Sequence, residues 1–356
     1  MPDELRLGAR PTLATVLDAW SSNDPGRKTL AAVVATLAHT SAQVGALVAT
    51  SAVDSDPVDP TAASGLNASG DEQKELDLRA ERLFVAALSD GDVAAVCSEE
   101  SADAIRLTTG GSMVVALDPI DGSSNLDINA PSGSIFAVLP TAGFVDDPVG
   151  ALLQPGRNQL AAGIVVYGPS TVMALTVGEG TDIFALDPRS RVFHRVRHRV
   201  ALPADAQEYA INTSNARHWG PGVRAYVSDL VSGALGPRER DFTMRWLASL
   251  VAEVYRILLR GGIYLYPSDE RQAFRHGRLR LVYEANPVAL LCEQAGGAAT
   301  DGVDRILDVQ PTALHQRSPL VLGSRNKVER VRRYLLDPPT THEESPLFSQ
   351  RGLFRS

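Results

Sequence analysis

Apolar and polar positions follow two different periods along this chain. Residues 72–88 place Leu76, Ala80, Leu83, Phe84 and Ala87 at helical spacing, which predicts a helix with one buried face. Upstream, Asp24-Pro25-Gly26 reads as a turn that opens a long Ala-, Val- and Leu-rich helix. Its most apolar stretch, 29–53, carries His39, Gln43 and several Thr and Ser, so it reads as a core helix and not a membrane span. Short apolar runs of strand length follow at 93–97, 113–117, 135–139, 163–167 and 172–177, the last two joined by the turn Gly168-Pro169-Ser170. Residues 189–200 alternate basic and apolar positions and read as a solvated edge strand.

The second half continues the mixture. Residues 243–260 predict an amphipathic helix with Leu247, Leu250, Val251, Val254 and Leu258 on one face. Residues 279–283 read as a strand. Residues 287–295 read as a helix capped by Asn286, with Pro287 in its first turn and Gly296-Gly297 ending it. A last helix is predicted over 327–336. Interleaved helices and strands give a layered α/β or α+β class, and the length suits two domains. We place an N-terminal domain at 1–200, a C-terminal domain at 201–337 and a polar tail at 338–356. Residues 51–70, rich in Asp, Pro, Ser and Ala without periodicity, predict a mobile loop of the kind that serves as an active-site lid.

Composition narrows the function. The 356 residues are 44% apolar, enough for a sizeable core, and carry a formal charge of -8. That charge argues against a general nucleic-acid or membrane binder. An acidic protein that handles an anionic substrate must make its site locally positive, with Lys and Arg or with bound cations. Cys97 and Cys292 form no CxxC or clustered pattern, so they read as buried thiols in a reducing compartment. The first ten residues lack the apolar core of a signal peptide, and a cytoplasmic location is expected.

Two of the predicted strands end in acid. Residues 93–97 lead into Ser98-Glu99-Glu100, and 113–117 lead into Asp118-Pro119-Ile120-Asp121-Gly122-Ser123-Ser124-Asn125. If these strands are neighbours, their carboxylates meet at one sheet edge. Carboxylates that close cannot all stay ionised without cations. Oxygen ligands without His or Cys point to Mg²⁺, with Mn²⁺ as the alternative. Gly122-Ser123-Ser124 adds a tight turn whose hydroxyls and amides can hold phosphate. An isolated Asp-Pro-x-Asp-Gly would make only a turn; joined to the two glutamates, it points to metal-assisted phosphate hydrolysis.

The octapeptide 118–125 resembles the DP[LI]DG[ST]xN motif of the lithium-sensitive phosphatase superfamily, and with 98–100 it resembles class I fructose-1,6-bisphosphatases. Residues 70–77, 261–267, 279–287 and 314–319 are similar to further segments of that family, and the likeness extends over about 12–336. The inositol branch usually carries a Trp-Asp pair where this chain has Tyr283-Glu284. The resemblance implies an αβαβα sandwich of the sugar phosphatase type. It implies Mg²⁺-dependent hydrolysis of fructose 1,6-bisphosphate to fructose 6-phosphate, in gluconeogenesis or the Calvin cycle, with two or more metals per site. Sedoheptulose 1,7-bisphosphatase activity, alone or alongside, is the alternative; a catalytically inactive sugar-phosphate-binding regulator is a more remote one.

By the same resemblance, Glu99, Asp118, the Ile120 carbonyl, Asp121 and Glu284 ligate metal. Asp71 and Asp77 orient or deprotonate the attacking water, and Glu100, a third catalytic acid, contributes at the metal site directly or through water. Substrate contacts fall to Asp121, Gly122, Ser123, Ser124, Asn212, Arg245, Trp246, Tyr266 and Arg278. Arg245 matches an arginine that reaches a neighbouring subunit's site, so a homotetramer or homodimer is implied. Trp246 and Asn215 stand where many relatives have Tyr, and Arg278 where many have Lys. The stretches 25–29 and 112–113 depart from those of AMP-responsive relatives, so weak or absent AMP inhibition is expected.

Overall fold

The computed structural model describes residues 10–54, 75–144 and 146–338. Three helices open the chain: α1 (Leu13–Ser21), α2 (Pro25–Asp54) and α3 (Glu75–Ser89). Thr12 caps α1 by accepting a hydrogen bond from the Thr15 amide. α2 continues through Asp54, so the first four residues of the predicted loop at 51–70 are helical; its other residues lie outside the described residues. By length and composition 25–51 could cross a membrane, but 56% of its most apolar window is buried inside the protein. Val34, Leu37 and Val44 of α2 pack with Phe84 and Leu88 of α3 on one face of the main sheet, which makes α2 a core helix.

That sheet has eight strands: β1 (Val93–Ser98), β2 (Ile105–Arg106), β3 (Met113–Asp121), β4 (Ser132–Pro140), β5 (Ala161–Tyr167), β6 (Thr171–Thr176), β7 (Thr181–Asp187) and β8 (Val192–Arg197). Their spatial order is β2-β1-β3-β4-β5-β6-β7-β8. All neighbours are antiparallel except β1 and β3, which run parallel. The basic strand at 189–200 shortens to β8 and forms the edge, as expected of a solvated strand. A short helix, α4 (Pro148–Leu152), precedes β5.

Successive side chains point to opposite faces, and both faces of the central strands are buried, so these strands feed two cores. Val165 and Tyr167 of β5 face α1–α3, while Ala162, Ile164 and Val166 face the other side. There they meet α6 (Leu250–Arg260) and α7 (Asn286–Gln294). A second sheet lies beyond, of order β10-β9-β11-β15-β13, built from β9 (Glu208–Ile211), β10 (Thr243–Met244), β11 (Ile263–Tyr266), β13 (Ala298–Thr300) and β15 (Leu320–Gly323). Tyr264 of β11 faces α6 and α7, while Ile263 and Leu265 face α5 (Pro221–Val231) and α8 (Arg325–Leu336). The layers read helix, sheet, helix, sheet, helix, which is the expected αβαβα sandwich. A two-stranded ladder of β12 (Leu279–Arg280) and β14 (Arg317–Ser318) completes it.

Three local expectations are corrected. The helix predicted over 243–260 starts only at Leu250, because Ala248 is left-handed (φ 53°) and Ser249 caps the helix through the Ala252 amide. Leu247 therefore lies outside it and is 43% exposed. The strand predicted over 279–283 stops at Arg280, and residues 281–285 form one π turn that runs directly into α7. Asn286 consequently has helical dihedrals and makes no cap; its Oδ1 is buried without a hydrogen-bond partner among the described residues. The strand β7, the helix α5 and the strands of the second sheet were not among the sequence expectations. Cys97 and Cys292 are buried and free, as expected.

Candidate active site

The acidic centre begins with the parallel pairing of β1 and β3. Ser98 stands opposite Leu117, so Glu99 and Glu100 leave their strand beside Asp118. The apolar run of the second strand ends at Leu117. The structure carries it to Asp121. Asp118 pairs with Ile135 and Asp121 with Gly133, so β3 spends one more residue than β4 across this step. Such a bulge reverses side-chain parity. Residues three apart, which a regular strand points to opposite faces, can then face one site. The buried bulge carbonyl of Pro119 accepts a hydrogen bond from the Ser134 hydroxyl at 2.6 Å.

Asp121 is further fixed by the start of α6. The Val251 amide donates to its Oδ2 at 3.0 Å, and the Ser249 hydroxyl lies at 3.5 Å. A helix N-terminus favours negative charge, so α6 meets the carboxylate with its positive end. The approach depends on Gly133: a Cβ there would lie 2.0 Å from the Val165 carbonyl oxygen and 2.7 Å from a Val251 methyl. Glu284 arrives on the π turn at 281–285, and the Arg280 amide donates to its Oε2. The outcome is that carboxylate oxygens of Asp118, Asp121 and Glu284 lie within 4.8 Å of one another, and all three residues are buried.

Electrostatics follow from that crowding. Burial first, then the charges of Glu99, Asp121, Glu284 and Glu100, raise the Asp118 carboxyl well above the usual range. Burial and Glu99 do the same to Glu284, with the Arg280 guanidinium opposing. Asp121 is raised to about 6 by burial, against the amide and hydroxyl donors of α6. The Oδ1 of Asp118 is buried with no hydrogen-bond partner among the described residues. Hard oxygen donors crowded in this way fit a divalent cation such as Mg²⁺, which would take the place of the protons that crowding draws to them. Asp77 on α3 is 2% exposed; one turn on, Glu81 accepts a hydrogen bond from the Ser101 hydroxyl at 2.8 Å, directly after Glu99-Glu100.

Past the bulge, Gly122 takes a left-handed conformation (φ 73°) that opens the 3₁₀ turn Ser123–Ile128. Ser123 is half-buried and Ser124 exposed, while the Asn125 side chain ties the turn to the Ala248 carbonyl at 3.1 Å. The Ile120 side chain is buried in the core against α1–α3. Asp71 lies outside the described residues.

A second pocket forms at the C-terminal ends of β9 and β11. Asn212, Asn215, Trp219, Tyr266, Asp269 and Arg278 line it, so the structure brings together three of the predicted sugar contacts, Asn212, Tyr266 and Arg278. Trp246 stands next to them, its ring parallel to Tyr264 at 6.0 Å and 6.2 Å from Tyr266. Arg245 does not join this pocket within its own chain. It is half-exposed, 3.8 Å from Glu208.

Three contributors were not foreseen. Arg280 is 4% exposed at its side chain, lies 3.9 Å from Glu99 and donates to the Arg278 carbonyl at 2.7 Å. An arginine between two leucines in a strand was the available signal. The Val251 amide left no signal, since any residue supplies one. Asp269 and Arg271 form a close ion pair at the pocket wall, and Arg271 also donates to Asn215 at 2.9 Å.

Comparison with known proteins agrees with this arrangement. The family profile described as fructose-1-6-bisphosphatase, N-terminal domain, matches residues 26–198, and its C-terminal counterpart matches 202–336. The chain is 53% identical over 294 residues to a protein named fructose-1,6-bisphosphatase class 1 from Sinorhizobium medicae, covering 82% of this chain and 84% of the relative. It is 45% identical to one of the same name from Rhodopseudomonas palustris, covering 97% and 98%. The crystal structure of Leishmania major fructose-1,6-bisphosphatase in holo form superposes with a TM-score of 0.83 at 31% identity, covering 92% of this chain and 99% of that one. The paired profiles, these relatives and the shared fold agree: this chain belongs to the class 1 fructose-1,6-bisphosphatase family.

Proposed function

We propose that this chain hydrolyses fructose 1,6-bisphosphate to fructose 6-phosphate and inorganic phosphate, with Mg²⁺ as its cofactor. One observation carries the reading: three buried carboxylates lie within 4.8 Å of one another in an arrangement the fold alone leaves electrostatically uncompensated. Glu99, Asp118, the Ile120 carbonyl, Asp121 and Glu284 are the residues that would hold the metal. Bound Mg²⁺ supplies the positive charge that polarises the phosphoryl group and stabilises charge developing on its oxygens.

The chain's own groups do the rest. Asp77, with Asp71 and Glu100, orients the attacking water and accepts its proton. Gly122, Ser123 and Ser124 offer amide and hydroxyl donors to the transferred phosphoryl oxygens. Asn212, Tyr266 and Arg278 hold the distal phosphate, where the planar guanidinium of Arg278 can donate in a bidentate fork. Trp246 packs on the sugar between the two ends. Holding both ends fixes the scissile ester against the acidic centre and so turns binding into orientation.

We place catalysis in the N-terminal domain, 1–200, and distal-phosphate recognition in the C-terminal one, 201–337. The exposed position of Arg245 supports a homotetramer or homodimer in which it completes a neighbour's site. A cytoplasmic enzyme of gluconeogenesis or the Calvin cycle fits this chemistry. Phosphate release from fructose 1,6-bisphosphate is the test, run with Mg²⁺ and again with EDTA. Turnover that appears with Mg²⁺ and disappears with EDTA is expected; a folded sample inert at saturating Mg²⁺ would end the reading.

A further inference from the structure

A second concentration of charge lies at the opposite end of the five-stranded sheet. The parallel strands β9, β10 and β11 place Asn212, Trp246 and Tyr266 at or just past their C-terminal ends. Asp205, Arg238, Arg240 and Phe242 precede those strands, and Lys327 follows β15, whose last residue pairs with the first of β11. Three cations converge there on one ring. Lys327 Nζ is 4.4 Å from the Phe242 centroid, and the guanidinium carbons of Arg238 and Arg240 are at 4.9 and 5.5 Å.

Their charges are poorly matched. Asp205 is the carboxylate facing this group, and it is already engaged by Arg240 and by the Ala206 amide. Arg330 adds a further positive charge from α8. Lys327 is 1% exposed and Arg238 8%. Lys327 Nζ and Arg238 Nη1 are buried with no hydrogen-bond partner among the described residues. Cation–π contact offers about 2 kcal/mol when desolvated, whereas burying an unpaired ion costs several kcal/mol. The Phe242 ring, with the Tyr226 ring 5.9 Å from Arg238, does not compensate two such groups. Burial, with the neighbouring guanidiniums, lowers the Lys327 ammonium to about 7, Asp205 opposing.

We propose that Lys327 and Arg238, gathered at the Phe242 ring, bind a small inorganic oxyanion, inorganic phosphate being the one this enzyme's reaction supplies. Each orphaned donor would gain a charge-assisted hydrogen bond. The excess of positive charge selects an anion, and donors from two separate elements suit an ion with several acceptor oxygens. The site is distinct from the substrate pocket, since the length of β9 and β11 separates them. It would also pin α8 to the segment that runs through β10 to Arg245 and Trp246.

The test is calorimetric titration of potassium phosphate into the full-length protein in EDTA, with ionic strength held by chloride. The background is Arg278→Met, which removes the substrate pocket's own cation. Saturable uptake of about one phosphate per chain is expected there. Adding Lys327→Met, or separately Arg238→Gln, should weaken it about tenfold or more, the loss expected of one charged hydrogen bond. Absence of saturable uptake in the Arg278→Met protein would overturn the proposal. So would an unchanged isotherm in both double variants. Mg²⁺-dependent activity of Lys327→Met and Arg238→Gln in the otherwise native chain reports that they fold, and either one suffices for the test.

Discussion

Replacing Asp118 with Asn separates two roles that the acidic centre combines. The substitution keeps the shape of a side chain that is 1% exposed and removes its charge. Its carboxylate lies within 4.8 Å of those of Asp121 and Glu284. At an effective dielectric of about 20, two unit charges at that range repel by roughly 3 kcal/mol. Partial protonation reduces the repulsion, so the net gain on neutralising Asp118 without metal is about 2 kcal/mol at pH 8. For a chain of 356 residues, unfolding entropy of about 2 cal/mol/K per residue converts this to a Tm increase of roughly 3 °C.

The sign with pH follows from the raised carboxyls. The folded state binds more protons than the unfolded one, so metal-free wild type loses stability as pH rises from the ordinary carboxylate range through the folded values. For Asp121 that value is about 6. The advantage of Asp118→Asn should therefore be larger at pH 8 than at pH 5. Saturating Mg²⁺ should stabilise wild type more than the variant and reverse their order. Phosphate release should be lost. Thermal melts at both pH values, in EDTA and in Mg²⁺, measure all of this. A variant less stable than wild type at pH 8 in EDTA would show that the fold already compensates the Asp118 charge, and the electrostatic reasoning would fail.

Further outcomes follow from particular contacts. Arg271 joins two walls of the sugar pocket, bonding Asn215 at 2.9 Å and Asp269 at 3.0 Å, so Arg271→Ala should raise KM for the bisphosphate about tenfold with kcat little changed. That penalty should vanish with fructose 1-phosphate, which lacks the distal group; equal KM values for wild type and variant would refute the role. AMP should not half-inhibit at low micromolar concentration, because Arg27 at the start of α2 is committed to Glu179 at 2.9 Å and to the Trp20 ring. An AMP titration of steady-state activity checks this. Gly133→Ala should cost roughly 1–3 kcal/mol through overpacking and lower activity by displacing α6 from Asp121. A urea midpoint within error of wild type would refute the close packing at that glycine.

The layered fold was legible because hydrophobic period reports burial, and burial is what the layers share. The strands at 93–97, 113–117 and 163–167 were found at nearly their observed places for that reason. The failures cluster where the backbone leaves regular geometry. The apolar run stops at Leu117, yet β3 continues past it by bulging, and its Asp121 pairs with Gly133. Leu279 to Tyr283 alternates like a strand, yet most of it forms a π turn that delivers Glu284. Leu247 fits the helical stripe, yet Ala248 at φ 53° delays the helix until its amides reach Asp121. Periodicity describes repeating backbone. The site is made from single departures that do not repeat, so the sequence names candidate residues while concealing how the chain aims them. Arg280 and the Asp269–Arg271 pair were passed over for a related reason: a charge in a short apolar or polar stretch does not disclose its partner.

Those departures also explain how the fold tolerates a centre that opposes folding. Crowded carboxylates destabilise the metal-free protein, so something else must hold them in register. Behind β3, Val115 and Leu117 pack against α1–α3, while Val114 and Ala116 pack with Val282 and Tyr283 beside Glu284. On the next strand Ile135 joins the core that anchors α6. Apolar cores on both faces of one strand thus clamp the backbone that carries Asp118 and Asp121, and the same packing seats the elements that bring Glu284 and the Val251 amide. The repulsion is confined to side chains whose backbone cannot retreat. Under that constraint the repulsion is relieved by protons or by a cation, and a cation competes with the protons as pH rises. Metal affinity and apparent stability are therefore one linked quantity in this protein. Loosening the cores around β3 should weaken metal binding even where no ligand is touched.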